Sequence, residues 1–274
     1  MRSKRLIIAY VALLIAAVAL VVRLWHYNHT PQAAVTRDYP AIAREGVLRM
    51  ITEYNQSGYY VSGDTLRGFQ YELSQAIARV SGLEIQTYLE MSLAKSFERL
   101  AAGECDVIAR NIPINSPMRD QYLFTDPIVL NKQVLVQRTA QANEGRKPIR
   151  NQLDLARQTL YIPKDSPAAL RLRNLGREIG DTIYVVEDEL YSSEQLMILV
   201  AKGDIDYAVC DQQLAKEAQK RLPELDIRTD ISFTQLQSWA VRKESPILLD
   251  SLNSWLRQIK ENGSYESIYR RYYP

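Results

Sequence analysis

The pattern of apolar and polar positions predicts alternating strands and helices over most of the chain. Apolar residues that recur every three to four positions indicate amphipathic helices, and the short apolar runs between them fit buried strands. The predicted helices are 69–80, 93–102, 167–179, 193–202, 212–222, 248–262 and 265–272. The predicted strands are 47–51, 83–89, 106–110, 128–137, 159–162, 182–186, 207–210, 225–228 and 238–242. This alternation predicts an α/β fold.

One stretch of the chain, residues 100–111, is echoed at residues 200–211. Each copy predicts a helix that ends at a glycine, Gly103 or Gly203, followed by an Asp that opens a short strand. Glycine suits a helix C-terminus because it adopts a left-handed backbone without a Cβ clash. The echo predicts two α/β lobes whose polar strand ends face a shared cleft, since ligands of open α/β sheets lie beyond the carboxyl ends of the strands. Chance similarity between two β–α–β units is the alternative.

The N-terminal part has a different pattern. Residues 6–22 are an unbroken apolar run after a basic start, long enough for a transmembrane helix. A cleaved signal peptide is the competing interpretation, but Trp25 and Tyr27 suit a membrane interface better than a cleavage site. The predicted organisation is a membrane anchor or signal segment at 1–27, a linker at 28–44, a first lobe from 45–137 and 235–274, and a second lobe at 138–234. Because basic residues that flank a membrane span stay on the cytoplasmic side, the basic N-terminus predicts a single-pass inner-membrane protein with its globular part in the periplasm.

Composition narrows the possible chemistry. The chain has 274 residues, of which 24% are charged, and a net charge of +2, so no nucleic-acid-binding footprint is visible. Both histidines, His26 and His29, precede the predicted globular part, which excludes His-dependent triads and His-ligated metals there. Cys105 and Cys210 occupy non-equivalent positions of the echo, and we expect two buried thiols. We expect no metal and no cofactor.

Five short motifs resemble one family, the polar-amino-acid type of periplasmic solute-binding protein. The motifs are Gly68-Phe-Gln-Tyr-Glu-Leu73, Ala102-Gly-Glu-Cys-Asp106, Ser116-Pro-Met-Arg119 with Phe124-Thr-Asp-Pro127, Gly203-Asp-Ile-Asp206 and Asn262-Gly-Ser-Tyr-Glu-Ser-Ile-Tyr269. Their order along the chain resembles that of the family over residues 45–274. The residues within the motifs are most similar to those of the sensor domain of membrane-bound lytic murein transglycosylase F. Because the chain ends just past the last short helix, we expect the catalytic domain of that enzyme to be missing.

The resemblance implies a two-lobed, type II periplasmic-binding-protein fold, each lobe an open and mostly parallel sheet with flanking helices. It places Arg119 on a ligand carboxylate, for which a guanidinium fork and a helix N-terminus are both suited. It places Asp211 on a ligand ammonium, although Asp211 also fits a helix N-cap. Together they would recognise a zwitterion.

Four further residues are weaker candidates. The resemblance places an aromatic ring over the ligand near Tyr59, with Tyr54 and Tyr60 as competitors, and a carboxylate contact at Ser166. Asn111 is expected to line the cleft wall. Glu72, in the first turn of the first helix of the first lobe, is the remaining candidate, although an acid is favourable there for structural reasons alone.

The predicted function is a membrane-anchored binding protein for an amino acid or similar small zwitterion, not an enzyme, that serves transport or sensing by cleft closure. An ABC transporter permease and a cell-wall enzyme are the candidate partners, besides the membrane itself. Gln70 replaces a frequent Asp of the family, which leaves a short peptide or cell-wall fragment open as the ligand. A dehydratase acting on cyclohexadienyl acids and a regulatory partner of a cell-wall lytic enzyme are the alternatives, because one fold serves many functions.

Overall fold

The computed structural model describes residues 13–14, 17–20, 23, 37–114 and 116–273. The chain divides into two compact units, Met1–Val35 and Thr36–Pro274. In the first unit the described residues are helical, and Leu13, Leu14, Val18 and Leu20 are exposed. The predicted anchor at 6–22 lies mostly outside the described residues. Among the residues that are described, no helix is long and apolar enough to cross a membrane.

The second unit contains two lobes, each built around one mixed sheet. The first lobe consists of α1 (Tyr39–Glu45), β1 (Val47–Thr52), β2 (Tyr60–Ser62), β3 (Thr65–Arg67), α2 (Phe69–Ser81), β4 (Glu84–Leu89), α3 (Leu93–Ala101), β5 (Val107–Pro113), α4 (Ser116–Gln121), β6 (Tyr122–Phe124) and β7 (Val129–Asn131). It is completed at the end of the chain by β13 (Gln235–Arg242), α8 (Pro246–Glu261) and α9 (Ser264–Tyr272).

The second lobe is one continuous segment. It consists of β8 (Gln133–Arg138), a 3₁₀ turn (Gln152–Leu155), β9 (Thr159–Pro163), α5 (Ala168–Ile179), β10 (Tyr184–Asp188), α6 (Ser193–Lys202), β11 (Ala208–Asp211), α7 (Gln212–Arg221) and β12 (Leu225–Asp230). The chain therefore enters this lobe after Asn131 and leaves it after Asp230.

The two sheets repeat one arrangement, which accounts for the echo in the sequence. The first runs β4-β1-β5-β13-β6 and the second β10-β9-β11-β8-β12. In each, the first three strands are parallel and the fourth, β13 or β8, is antiparallel to them. Both predicted helix-ending glycines have a positive φ, 76° at Gly103 and 87° at Gly203. The prediction of two β–α–β lobes is confirmed, although the sheets are mixed rather than mostly parallel.

In each copy of the echoed stretch, the aspartate accepts a hydrogen bond from an arginine of the strand that follows a crossing between the lobes. In the first lobe Arg242 donates to Asp106 Oδ1 at 3.0 Å and to the carbonyls of Leu100 and Cys105. In the second lobe Arg138 makes the same three contacts at the positions that correspond in the echo. It donates to Asp206 Oδ1 at 2.6 Å, Val200 O at 3.0 Å and Ile205 O at 2.9 Å. The repeated motif is therefore a docking site for the strand that returns from the other lobe.

Aromatic packing fixes the C-terminal helix on the first lobe. Phe69, at the start of α2, is fully buried and makes edge contacts with four tyrosines, Tyr265, Tyr269, Tyr272 and Tyr273, at ring-centroid distances of 5.0–6.4 Å. Such pairs add to the ordinary gain of burying an aromatic ring. As a result the final residues of α9 lie against the segment that opens α2.

Two structural elements, β8 and α1, lie in other segments than the predicted organisation gave them. Strand β8 pairs in the second sheet, so the first crossing lies near residue 132 rather than after residue 137. The predicted linker, 28–44, includes helix α1, whose residue Ile42 is buried in the first core. Pro40 suggested a tether, but here it occupies the first turn of α1 behind the N-cap Asp38, where a proline is favourable.

Candidate functional site

A cavity of about 760 Å³ lies between the two lobes. The first lobe contributes the segment after β1, the N-terminus of α3, and Arg110 and Asn111 of β5. The second contributes the loop after β9, the N-termini of α6 and α7, and Asp211 at the end of β11. Strand ends and helix N-termini meet here because both sheets present the same edge, which is the usual ligand position in α/β folds.

Asp211 is half-buried at the floor of this cavity. Its Oδ1 accepts from Asn131 Nδ2 at 2.5 Å and from the backbone N–H of Gln213 at 2.9 Å, so it caps α7 as well as facing the cavity. Burial raises the pKa of this carboxyl to about 6, against the opposing effect of these hydrogen bonds and of the Leu214 N–H. Asp211 is therefore both the N-cap of α7 and a residue that lines the cleft. Asn131 is the last residue of β7 before the crossing, so Asp211 also contacts the hinge.

A second charged group in the cleft was not among the predicted site residues. Arg110 pairs with Glu53 at 2.5 Å, and its guanidinium lies 3.3 Å from the carbonyls of Glu90 and Met91. The sequence did contain a signal for Arg110, because it is the first polar residue after the buried apolar run of β5. Glu53 could not be identified in the same way, because it stands in a polar loop with no periodicity.

Asn111 belongs to a hydrogen-bond network below the cavity. Its side chain accepts from Gln70 at 2.6 Å and donates to Ser57 Oγ at 3.0 Å and to the hydroxyl of Tyr273 at 2.9 Å. Gln70 in turn accepts from Trp239 Nε1 at 2.6 Å. A hydrogen-bond network in which every donor and acceptor is paired keeps its side chains in one orientation. Asn111 therefore lines the cleft wall as a fixed group.

Ser166 lines the cavity on the second lobe, at the start of α5. Its Oγ accepts from the backbone N–H of Ala168 at 3.3 Å. The neighbouring Asp165 has a left-handed backbone, φ 60°, and accepts a hydrogen bond from Ser92 Oγ of the first lobe at 3.1 Å. Ser92 is the N-cap of α3, so one contact joins helix N-termini from opposite lobes.

Glu194, in the first turn of α6, is a further cleft residue that the sequence did not single out. Its carboxylate accepts from the backbone N–H of Gln56 on the first lobe. Burial raises its pKa, and the charge of Glu53 raises it further, against the opposing effects of Arg221 and the Gln56 N–H. Serine and glutamate at a helix start are ordinary capping residues, so nothing in the local pattern distinguishes this one.

Three predicted site residues do not line this cavity. The side chain of Arg119 is exposed, at the end of the short helix α4. Tyr59 makes an edge contact with Tyr71 at 5.3 Å, whereas its predicted competitor Tyr54 does line the cavity. Glu72 pairs with Arg271 and Tyr272 of α9. The structure thus brings Asp211, Ser166 and Asn111 together and leaves Arg119, Tyr59 and Glu72 apart from them.

The two lobes, the double crossing and the cavity between them define the periplasmic-binding-protein-like class. Among solved structures, the solute receptor for L-cysteine of Neisseria gonorrhoeae is similar with a TM-score of 0.74 and 20% identity, over 88% of this chain and 94% of that one. An ancestral amino acid-binding protein, a precursor of cyclohexadienyl dehydratase, is similar with a TM-score of 0.72 and 19% identity, over 86% of this chain and 99% of that one. At these identities the likeness concerns the fold.

The chain belongs to the bacterial extracellular solute-binding proteins, family 3, whose model matches residues 48–274. This confirms the resemblance found in the sequence. Membrane-bound lytic murein transglycosylase F of Desulfosudis oleivorans is a relative, 31% identical over 235 residues, which are 85% of this chain and 50% of that protein. The corresponding protein of Cronobacter sakazakii is 28% identical over 98% of this chain and 51% of its own length. The chain thus spans about half the length of these relatives.

Proposed function

We propose that this protein binds an amino acid or a similar small zwitterion between its lobes and acts by cleft closure. The observation that carries the proposal is the position of Asp211, which faces the cavity next to the hinge residue Asn131. Among the residues that the structure describes, no cation donates a hydrogen bond to this carboxylate. A ligand ammonium would supply the missing positive charge. The ligand carboxylate would lie at the start of α5 near Ser166, where a helix N-terminus favours an anion.

This arrangement gives closure a physical cause. Asp211 and Ser166 belong to the second lobe, whereas Asn111 and Tyr54 line the cavity from the first. A ligand in contact with all four stabilises the closed form relative to the open one by its differential affinity. Transport and sensing both use such closure. The names of the relatives favour sensing near a cell-wall enzyme, and the apolar run at 6–22 would hold the protein at the inner membrane.

The test is a thermal-shift screen of the purified chain against the common amino acids and short peptides. A ligand at a hundred times its dissociation constant should stabilise the protein by about 2.7 kcal/mol. No shift with any compound would contradict the proposal. Carbonate washing of cell membranes tests the anchor separately, since an anchored chain stays in the pellet.

One observation favours a second candidate, an enzyme on this fold. Burial and the charge of Glu53 raise the pKa of two cleft carboxyls, Glu194 and Asp211, and such groups serve as general acids in many active sites. Incubation with arogenate and prephenate distinguishes the two functions. Product formation would support the enzyme, whereas binding without turnover supports the binding protein.

A further inference from the structure

Direct hydrogen bonds join the two lobes across the cavity, and one of them involves a charged residue of the second lobe, Asp165. Its carboxylate accepts from the hydroxyl of Ser92 of the first lobe at 3.1 Å. Neither residue belongs to a strand that crosses between the lobes. Because a hinge motion is absorbed at the crossings, these two groups move apart when the lobes rotate open. The hydrogen bond therefore belongs to the closed form.

The backbone of Asp165 indicates a role beyond folding. This residue lies in the loop between β9 and α5 with a left-handed φ of 60°. Glycine adopts this conformation without strain, whereas a residue with a side chain loses stability in it. Residues held in such conformations cluster at ligand clamps and switch regions. The side chain of Asp165, and not the turn itself, therefore requires an explanation.

The place that the Asp165 carboxylate reaches favours a negative charge. Ser92 is the N-cap of α3, where its hydroxyl also accepts from the backbone N–H of Lys95 at 3.2 Å. The first turn of α3 contains no acidic residue of its own. A carboxylate is stabilised at a helix N-terminus by the helix dipole. Asp165 thus supplies, from the opposite lobe, the charge that this helix lacks.

A second contact across the cavity has the same form. Glu194, at the start of α6 in the second lobe, accepts from the backbone N–H of Gln56 in the first lobe. In both contacts the acceptor is a carboxylate of the second lobe and the donor is an uncharged group of the first. The lobes therefore attract each other directly, through contacts that need no ligand between them.

We propose that Asp165 is a closure latch, which holds the lobes together through Ser92 and lets the protein sample its closed form before a ligand binds. The inference rests on the proposed function, because it specifies how the closure step of that function is controlled. Apparent ligand affinity falls in proportion to the fraction of protein in the binding-competent form. The strength of the latch therefore sets how much of the ligand's binding energy closure consumes.

Pulsed dipolar spectroscopy on the full chain measures the separation of the lobes directly, with no ligand added. Arg79→Cys on α2 and Lys202→Cys at the end of α6 place one spin label on each lobe at exposed positions. The native Cys105 and Cys210 are buried and should not be labelled. Unfolding and refolding before the measurement removes small molecules that copurify. We expect the parent to show a short and a long distance.

Asp165→Gly removes the carboxylate and relieves the left-handed backbone. It should therefore melt at no lower temperature than the parent, while the ratio of short to long distances falls about fivefold. This factor corresponds to about 1 kcal/mol, as expected for an exposed hydrogen bond to a charged group. Glu144→Gly is the matched control, because it relieves a φ of 51° in an exposed turn of the same lobe and should leave the ratio unchanged.

A further pair of substitutions exchanges the donor and the acceptor. Ser92→Asp keeps a capping side chain for α3 but brings two carboxylates together, so it should favour the long distance. Adding Asp165→Asn, which also tolerates a left-handed backbone, supplies a donor to the new carboxylate and should restore the short distance.

An unchanged distance ratio in Asp165→Gly would overturn the inference. So would a double variant whose lobes are as far apart as in Ser92→Asp alone. Either result would leave the proposed function standing, since ligand binding is tested separately by the thermal-shift screen. If no compound of that screen binds, the proposed function itself fails, whatever the distances show.

Discussion

The substitution Asp211→Asn should stabilise the unliganded protein at neutral pH while it removes ligand binding. Burial raises the pKa of Asp211 from 3.8 to about 6 in the folded chain. Because the folded-state pKa is the higher one, protonation of this group stabilises the fold below pH 3.8, and this contribution is lost as the pH rises through 6. At 1.36 kcal/mol per pKa unit the whole effect is about 3 kcal/mol, of which about 1.4 kcal/mol is lost between pH 5 and pH 8.

Asparagine is neutral over this whole range, so the variant lacks this loss. It retains one oxygen that can accept from Asn131 and Gln213, and it has one acceptor oxygen fewer for the Leu214 N–H, which costs about 1 kcal/mol at every pH. The free energy of unfolding of the variant, relative to the parent, should therefore rise by about 1.4 kcal/mol from pH 5 to pH 8.

Urea denaturation at both pH values measures this difference, with Asp204→Asn, an exposed aspartate, as the matched control. For the control, the free energy of unfolding relative to the parent should be the same at both pH values. If the free energy of unfolding of Asp211→Asn relative to the parent is also the same at both pH values, or falls as the pH rises, then Asp211 is not a desolvated carboxyl.

Four further predictions follow from individual side chains. Arg242→Ala removes one of the two arginines that pair with the fully buried carboxylate of Asp106, the other being Arg37, and also removes the donor to the carbonyls of Leu100 and Cys105. It should cost about 3 kcal/mol of stability in urea denaturation. Arg138→Ala should cost only about 1–2 kcal/mol of stability, because the side chain of its partner Asp206 is 52% exposed. Equal losses of stability in Arg242→Ala and Arg138→Ala would contradict this reasoning. Cys105 and Cys210 are buried, and burial raises the pKa of both thiols, to about 12 for Cys105, so neither should react with a disulfide reagent until the protein unfolds. Rapid labelling of the native protein would contradict their burial. Arg119→Ala should leave ligand affinity within about twofold because Arg119 is exposed outside the cavity, and a loss of tenfold or more in calorimetry would instead support the carboxylate-binding role that the family resemblance implies.

The sequence predicted the repeated β–α–β units because their signals are local. A glycine such as Gly203, at a helix end before a buried strand, has one favourable backbone conformation, and this requirement is visible within a dozen residues. The same holds for Ser166 and Asp211, which follow strands and precede helices. Their position at the cleft edge follows from the geometry of parallel strands.

The parts that the sequence did not predict depend on contacts between distant residues. Arg242 reaches Asp106 across 136 positions, so the function of the repeated aspartate emerges only when the strand returns. Glu53 and Glu194 acquire their common environment from the approach of the two lobes. Arg119 shows the converse, because a motif can place a residue on a short helix without fixing which way that helix faces.

The most direct test of the central claim is a calorimetric titration of the parent and Asp211→Asn with the compound that gives the largest thermal shift. We expect one ligand per chain for the parent and a loss of at least thirtyfold in affinity for the variant, which corresponds to about 2 kcal/mol for a charged hydrogen bond. Unchanged affinity in a folded Asp211→Asn variant would show that the ligand does not bind at Asp211 between the lobes.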